Sequence, residues 1–420
     1  MTDGEDHENG SYAEIRAGWR VILGCAIGIA IGIMALPYST AGLFIAALTE
    51  EFGWTRTALS FGPTILFAIV ALLAPLIVYL ADRISSLIII AFSMTAVAIA
   101  FIMMSRMGSD INDYYAICTF MAVLGAGAST VVFARIVWAN FHERRGLALG
   151  IVMTGNGITA ILSPVLIGRL IEAQGWRVGY VALTLVILLA TPAILALLRS
   201  AEGIRPKAHD RTPQSAPLQL GASFAEASRT LPFWAMGIAF FLGTAATSGM
   251  IVHMIPFLLD SGAEMTSATA IASLIGFGLI GGRLITGWLM DRFEASLVGA
   301  GMMLASAAGM LLLALGDVET AFFGAFAIGL CIGAELDVIG YLTGHYYGMR
   351  SYGSIYGMLY TLCAGGAALS PVLFGLSSDR LGSYGPGLIA GGGALMVAAV
   401  LLFGLPRGEA SCVRRQNIWH

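Results

Sequence analysis

The chain has 420 residues, 58% hydrophobic and only 11% charged, where an average soluble domain carries about 25% charge. A water-facing surface cannot be built from that composition, so a lipid bilayer is the solvent for most of the chain. The net charge of −3 gives no basic surface for a nucleic acid, and five cysteines (Cys25, Cys118, Cys331, Cys363, Cys412) without a CxxC or HExxH pattern fit buried free thiols better than a disulfide framework or a metal site.

The first residues, "MTDGEDHENG", are acidic and polar and do not resemble a secretory signal. A helix needs about 20 apolar residues to cross the hydrocarbon. Twelve runs meet that need, at roughly 18–48, 57–80, 86–105, 112–139, 146–171, 178–198, 230–259, 267–290, 296–316, 319–345, 353–377 and 385–405. Most connections are short. The longest, 199–229, contains "RPKAHDRTPQSAP" and reads as a linker between two six-helix halves, 1–198 and 230–420. The fold expected is an all-α membrane protein of twelve transmembrane helices.

Every cation except Lys207 is an arginine. With the N-terminus inside, cytoplasmic segments hold Arg16, Arg20, Arg83, Arg144, Arg145, Arg199, Arg205, Lys207, Arg211, Arg229, Arg292, Arg350, Arg407, Arg414 and Arg415. The opposite side holds Arg56, Arg106, Arg177 and Arg380. The positive-inside rule then places both termini in the cytoplasm.

The halves repeat. "SPVLIG" (163–168) returns as "SPVLFG" (370–375), and at the same shift Gly146 meets Gly353, Gly150 meets Gly357, Thr154 meets Thr361, and Glu172 meets Asp379. The loops "ADRI" (81–84) and "MDRF" (290–293) fall at nearly the same offset. A duplicated six-helix unit implies parallel repeats about an axis along the membrane normal. Proteins on that plan rock two halves around a site near the midplane.

Ionisable residues at membrane depth cost about 2.5–3.5 kcal/mol each on insertion, so each is a functional candidate. Arg135 lies near the end of the fourth run, where it either snorkels or serves as a gate or second anion contact. Tyr38 and Asn156 are polar groups placed to face a cavity. His253 stands between Gly249 and Pro256, which predicts an irregular helix; it is either a satisfied core histidine or a proton relay. His142 and His345 lie near helix ends and read as caps. Arg283 sits about 12 Å inward from Asp291 at the helical rise. Its planar fork suits a carboxylate, unless it snorkels or pairs with an acid of the tenth run. Glu335 and Asp337 lie about 200° apart around a helix, so they cannot act as a paired dyad. One faces the cavity and the other a neighbouring helix. The choice stays open, with Asp337, which shares a face with Tyr341, placed toward the cavity. Either carboxylate is a candidate proton carrier, or a structural partner of Arg135 or Arg283. The Gly-rich stretches lack phosphate-loop spacing, and no nucleotide, cofactor or nucleophile–base pattern appears.

These features resemble the major facilitator superfamily, across essentially the whole chain. Its signature loop, Gly-x-x-x-Asp-Arg-x-Gly-Arg, is kept in the second copy as Gly287, Asp291 and Arg292. The first copy keeps Asp82 and Arg83, with Val78 at the glycine position; both lack the trailing glycine. In the family this loop locks the cytoplasmic side, which assigns Asp82, Arg83, Arg135, Arg144, Arg145, Asp291 and Arg292 to gating. "NFHERRGLALGIVMTGNG" (140–157) is similar to the Tyr-Phe-x-x-Arg-Arg-x-x-Ala-x-Gly signature of the monocarboxylate porters and oxalate/formate antiporters, matching at Phe141, Arg144, Arg145, Ala148 and Gly150. "PYSTAGLFIAALTEEFGWTR" (37–56) and "GWRVGY" (175–180) resemble the same group. The departures are Tyr38 and Cys363, which stand where those families carry lysines. Arg283 falls on the arginine that contacts substrate carboxylate in both. The resemblance implies a secondary transporter, not an enzyme, importing an organic monocarboxylate, short aliphatic or aromatic, by proton symport. Its partners would be a small organic anion, a proton and the bilayer, with the protein acting as a monomer of the inner membrane and no cofactor. An organic-anion exchanger is the alternative, and a non-transporting receptor a further one.

Overall fold

The computed structural model describes residues 14–141, 144–202 and 221–406. The linker cations Arg205, Lys207 and Arg211, His142, the acidic start and the tail with Arg407, Cys412, Arg414 and Arg415 lie outside these described residues. All the elements are helices: α1 (Trp19–Ala30), α2 (Leu36–Phe52), α3 (Arg56–Arg83), α4 (Ser86–Ser105), α5 (Ile111–Gly125), α6 (Thr130–Asn140), α7 (Arg145–Gln174), α8 (Trp176–Glu202), the short α9 (Phe224–Ala227), α10 (Leu231–Asp260), α11 (Met265–Met290), α12 (Ala295–Leu315), α13 (Ala321–Tyr347), α14 (Tyr352–Leu381) and α15 (Gly385–Phe403). Eleven spans among the described residues are long and apolar enough to cross a membrane, and the shorter apolar α1 begins the remaining run. The protein is therefore a multi-pass membrane protein.

Two of the expected continuous runs are broken. The first stops at Ala30 and restarts at Leu36, with Pro37 in the first turn of α2. Proline lacks the N–H that a helix interior needs, and the first turn has no use for it. The fourth run passes through a 3-10 turn at Ala126–Ala128 between α5 and α6. There Gly127 lies against α4 so closely that a Cβ would stand 2.4 Å from Ile89 Cγ2. Conversely, α10 runs unbroken through Gly249 and Pro256, contrary to the irregular helix expected from sequence. Neighbours supply the reason: the Gly249 N–H donates to Ser370 Oγ on α14 at 2.6 Å, and that hydroxyl donates to the Ala245 carbonyl at 2.6 Å.

The chain forms two compact units, one of Met1–Trp54 with Phe61–Asp210, the other of Thr55–Ser60 with Arg211–His420. Unit one packs α4 on α8 and α1 on α7 and α8. Unit two packs α10 on α14, α12 on α13 and α15, and α11 on α13.

The α11–α13 pair is built on four glycines. A Cβ at Gly278 would lie 2.3 Å from the Phe326 carbonyl oxygen, and one at Gly282 would lie 2.2 Å from that of Leu330. From the other side, Cβ atoms at Gly329 and Gly333 would lie 2.2 Å from the carbonyl oxygens of Ile275 and Leu279. Each helix thus offers two small positions four residues apart, and backbone meets backbone. At the repeat offsets these positions correspond to Ile69 and Leu73 on α3 and to Ala122 and Ala126 in unit one. Ile69 and Leu73 are bulky enough to hold backbones apart, and α3 and α5 do not pack in this way.

Candidate functional site

The glycine clasp positions the central charges of unit two. Arg283 follows Gly282 directly, and its backbone nitrogen would lie 3.1 Å from a Cβ at Gly333. Asp337 stands one helical turn beyond Gly333 on the same helix. Their side chains meet as an ion pair, Arg283 Nε to Asp337 Oδ2 at 3.4 Å. The Arg283 side chain is only 17% exposed, that of Asp337 37%. The N–H of Nε is buried and makes no hydrogen bond despite the short ion-pair distance. Among the described residues this guanidinium has one carboxylate beside it and no hydrogen bond holding it there. A loosely engaged fork of this kind has directions left for a second carboxylate.

Glu335 points the other way. It is 5% exposed. Its Oε1 lies 3.8 Å from Cys331 Sγ and would lie 3.0 Å from a Cβ at Gly243 on α10. The Cys331 thiol in turn meets Met303 Sδ of α12 at 3.6 Å. Two residues of helical rotation thus send one carboxylate to the guanidinium and the other into soft, apolar packing. No salt bridge to Glu335 occurs among the described residues. The four described cysteines are free and buried.

Beside Asp337 runs a row of tyrosines at i, i+4 and i+8 on α14. Tyr352 and Tyr356 rings are 5.7 Å apart and 9° from parallel; Tyr356 and Tyr360 are 6.3 Å apart and 19° from parallel. The Tyr352 hydroxyl donates to the Gly340 carbonyl at 3.3 Å, and Tyr356 Cε2 would lie 3.8 Å from a Cβ at Gly340. Tyr341 is half exposed and stacks toward His345 in the last turn of α13.

The remaining predicted residues are placed elsewhere. Tyr38 is buried in unit one, edge-on to Phe67 at 4.8 Å. Asn156 is half-buried one residue after Gly155, whose Cβ would strike the Ala26 carbonyl at 2.4 Å. Arg135 pairs with Asp82 at 2.6 Å rather than with a carboxylate of the tenth run. Arg83 lies over the Tyr79 ring. Arg144 donates its backbone N–H to Glu14, and Arg145 lies over Trp138 while donating to the Phe141 carbonyl. In the second copy Asp291 is exposed, and Arg292 lies over Trp288 and donates to its carbonyl at 3.0 Å. The two copies of the loop have diverged: the carboxylate of the first holds an arginine of a neighbouring helix, whereas the arginine of the second folds back on its own.

His253 is fully buried. Its Nε2 is 2.8 Å from the Pro371 carbonyl and 2.9 Å from Ser60 Oγ, and its Nδ1 is 2.9 Å from the Tyr384 hydroxyl. A carbonyl only accepts, so Nε2 carries a proton, and in the neutral tautomer Nδ1 accepts from Tyr384. Both ring nitrogens are satisfied. Sequence reasoning missed what surrounds it. Arg56 pairs with Asp260 and donates to Ser378 Oγ at 3.1 Å. Asp379 accepts the backbone N–H groups of Arg56 and Thr57 at 3.2 and 2.7 Å, capping the start of α3. The one available signal was the repeat register of Asp379 with Glu172; the partners lie more than 300 residues away along the chain.

A family model described as Major Facilitator Superfamily matches residues 27–371. Human monocarboxylate transporter 11 is 29% identical over 288 residues, covering 65% of this chain and 59% of that protein's length. Zebrafish monocarboxylate transporter 12-B is 24% identical over 415 residues, covering 92% and 86%. A crystal structure of a bacterial homologue of the human lysosomal transporter Spinster, inward-facing and occupied, superposes with a TM-score of 0.68 at 16% identity over 92% of this chain and 96% of that one. That likeness shows the fold, twelve helices in two halves. The match over most of the chain settles its family: it belongs to the Major Facilitator Superfamily.

Proposed function

We propose that this protein imports an organic monocarboxylate together with a proton, with Arg283 receiving the carboxylate and Asp337 the proton. The observation that carries this reading is the Arg283–Asp337 pair, charged, mostly enclosed and without a hydrogen bond to fix it. Charge conservation links the two events. The resting pair is neutral. An incoming carboxylate would add a negative charge to a weakly solvated site, at a cost of several kcal/mol. A proton on Asp337 removes that charge and frees the guanidinium for the substrate. Anion and proton therefore enter and leave together, without net charge on the moving site, and the site is exposed to each side of the membrane in turn. Glu335, buried two residues away, is a second proton carrier in this reading.

Two curated relatives reported above are named monocarboxylate transporters, which supports the substrate class. The arginine-rich loops support both termini in the cytoplasm, and an inner-membrane location is part of the same proposal. The 199–229 segment then links the halves on the cytoplasmic side, and one chain is the working unit. In the same proposal Tyr38, Asn156 and His253 are further substrate-binding candidates, and Asp82, Arg83, Arg135, Arg144, Arg145, Asp291 and Arg292 are the gating set.

The test is uptake of radiolabelled lactate and benzoate by the purified protein in proteoliposomes. Arg283→Ala is expected to fall to the rate of protein-free vesicles while its thermal melting shows a folded protein. Normal uptake by Arg283→Ala would refute the anion site.

A further inference from the structure

We infer that the carboxylate taken by this site carries an aromatic ring, which stacks on Tyr356 and Tyr360 while its carboxylate meets Arg283. The inference rests on the anion reading of Arg283 and narrows its substrate class. Helix geometry puts the groups in one layer of unit two. At the helical rise Arg283 lies about 10 Å in from the end of α11, Tyr356 and Tyr360 about 6 and 12 Å in from the start of α14, and Asp337 about 15 Å from the end of α13. Those helix ends adjoin the loops 291–294 and 348–351, on one side of the bundle. The Tyr356 ring lies against α13 at Gly340, three residues from Asp337, where Tyr356 Cε2 would lie 3.8 Å from a Cβ, and Asp337 pairs with Arg283.

The tyrosines are not accounted for by the fold alone. Tyrosines of membrane proteins gather at the water interface, where the hydroxyl stays wet. Tyr352, at the start of α14, fits that rule and also spends its hydroxyl on Gly340. Tyr360, two turns further in, does not. The hydroxyls of Tyr356 and Tyr360 make no hydrogen bond among the described residues. Tyr360 is 44% exposed, so its ring is not sealed among the packed helices of unit two. Near-parallel rings stepping along one helix give an extended π surface on which a planar ring can sit offset, the arrangement aromatic pairs prefer. The short reach from this surface to Asp337 and its guanidinium partner suits a carboxyl attached to the ring directly or through a few atoms. A ring hydroxyl on the substrate would find the two tyrosine hydroxyls. A two- or three-carbon hydroxy acid would engage the guanidinium and leave this surface unused.

The experiment compares benzoate, 4-hydroxybenzoate and lactate uptake in proteoliposomes for wild type, Tyr356→Leu/Tyr360→Leu, Tyr360→Leu, Tyr360→Phe and Arg283→Ala. Wild type is expected to favour the aromatic acids in kcat/KM. The double variant should lower the benzoate-to-lactate ratio about tenfold, as loss of two stacked contacts requires. If the double variant fails to fold, the single pair decides: Tyr360→Leu should lower the ratio and Tyr360→Phe, which keeps the ring, should restore most of it. A wild type that prefers lactate, one that carries neither acid, or an unchanged ratio in the leucine variants overturns the aromatic assignment. Loss of both substrates in Arg283→Ala with an unchanged ratio in the tyrosine variants would sink this inference alone; uptake surviving in Arg283→Ala would sink the anion site beneath it.

Discussion

Arg283 and Asp337 were legible as residues because charge in an apolar run is expensive, and chains seldom carry it without a use. Their pairing was open in the sequence, as was the direction of Glu335, since helical spacing says that two groups diverge but not which neighbour each meets. On the present account Asp337→Asn leaves the guanidinium without its counter-charge and without a titrating partner. It should keep counterflow exchange of labelled for unlabelled acid and lose accumulation driven by an imposed pH gradient. Equal retention of both would favour an exchanger. His253 shows the limit of local reading: its partners Ser60, Pro371 and Tyr384 come from three distant segments. His253→Leu would leave the Pro371 carbonyl without its donor, at about 1–3 kcal/mol for a buried group, visible as a lower Tm. At the other end of the charge scale, Trp176 and Arg177 hold the Glu51 carboxyl below its ordinary value of 4.5. That depressed pKa makes the contact stabilising above pH 4.5, with the contribution lost as pH falls through the lowered value. Indole fluorescence of Trp176 should follow that loss on acidification, and Glu51→Gln should remove the pH response.

Among the elements, the long apolar helices declared themselves through length and composition, while their interruptions did not. The stop at Ala30 and restart at Leu36 follow from proline chemistry that also permits a continuous helix, as Pro256 inside α10 demonstrates. Glycine spacing was visible, but only contact reveals which glycines are clasped. Gly333 and Gly353 make the contrast. A side chain at Gly333 would drive a Cβ to 2.2 Å from the Leu279 carbonyl oxygen, which is backbone and cannot turn aside. Gly353 has nothing within 4 Å of its Cβ direction and lies in the first turn of α14. Gly333→Val should therefore separate α11 from α13 and lower stability by about 1–3 kcal/mol or more, as overpacking does, with loss of uptake because the Arg283–Asp337 register goes with it. Gly353→Ala should change stability by less than about 1 kcal/mol and leave uptake intact. Melting curves of the two variants in detergent distinguish these outcomes.

For the molecule as a whole, composition, the twelve runs and the duplicated motifs were enough to indicate a two-half membrane protein of the superfamily, and the family match bears this out. What the repeat concealed is how far the halves have diverged. Unit two carries the glycine clasp, the enclosed ion pair and the tyrosine row; the corresponding positions of unit one carry Ile69, Leu73, Ala122 and Ala126. Duplicate sequences predict duplicate folds, but a few side chains larger than glycine remove close contact and everything that close contact positions. The concentration of chemistry in unit two makes a claim about the whole cycle: one neutral ion pair exchanges its internal partner for a proton and an anion. The most direct measurement is the proton-to-substrate ratio, read from lumenal pH dye and radiolabel in the same proteoliposomes, each corrected for diffusion of the protonated acid through protein-free vesicles. The account predicts one proton entering with each benzoate, and no protein-dependent flux of either in Arg283→Ala. Protein-dependent benzoate uptake without proton entry would contradict it.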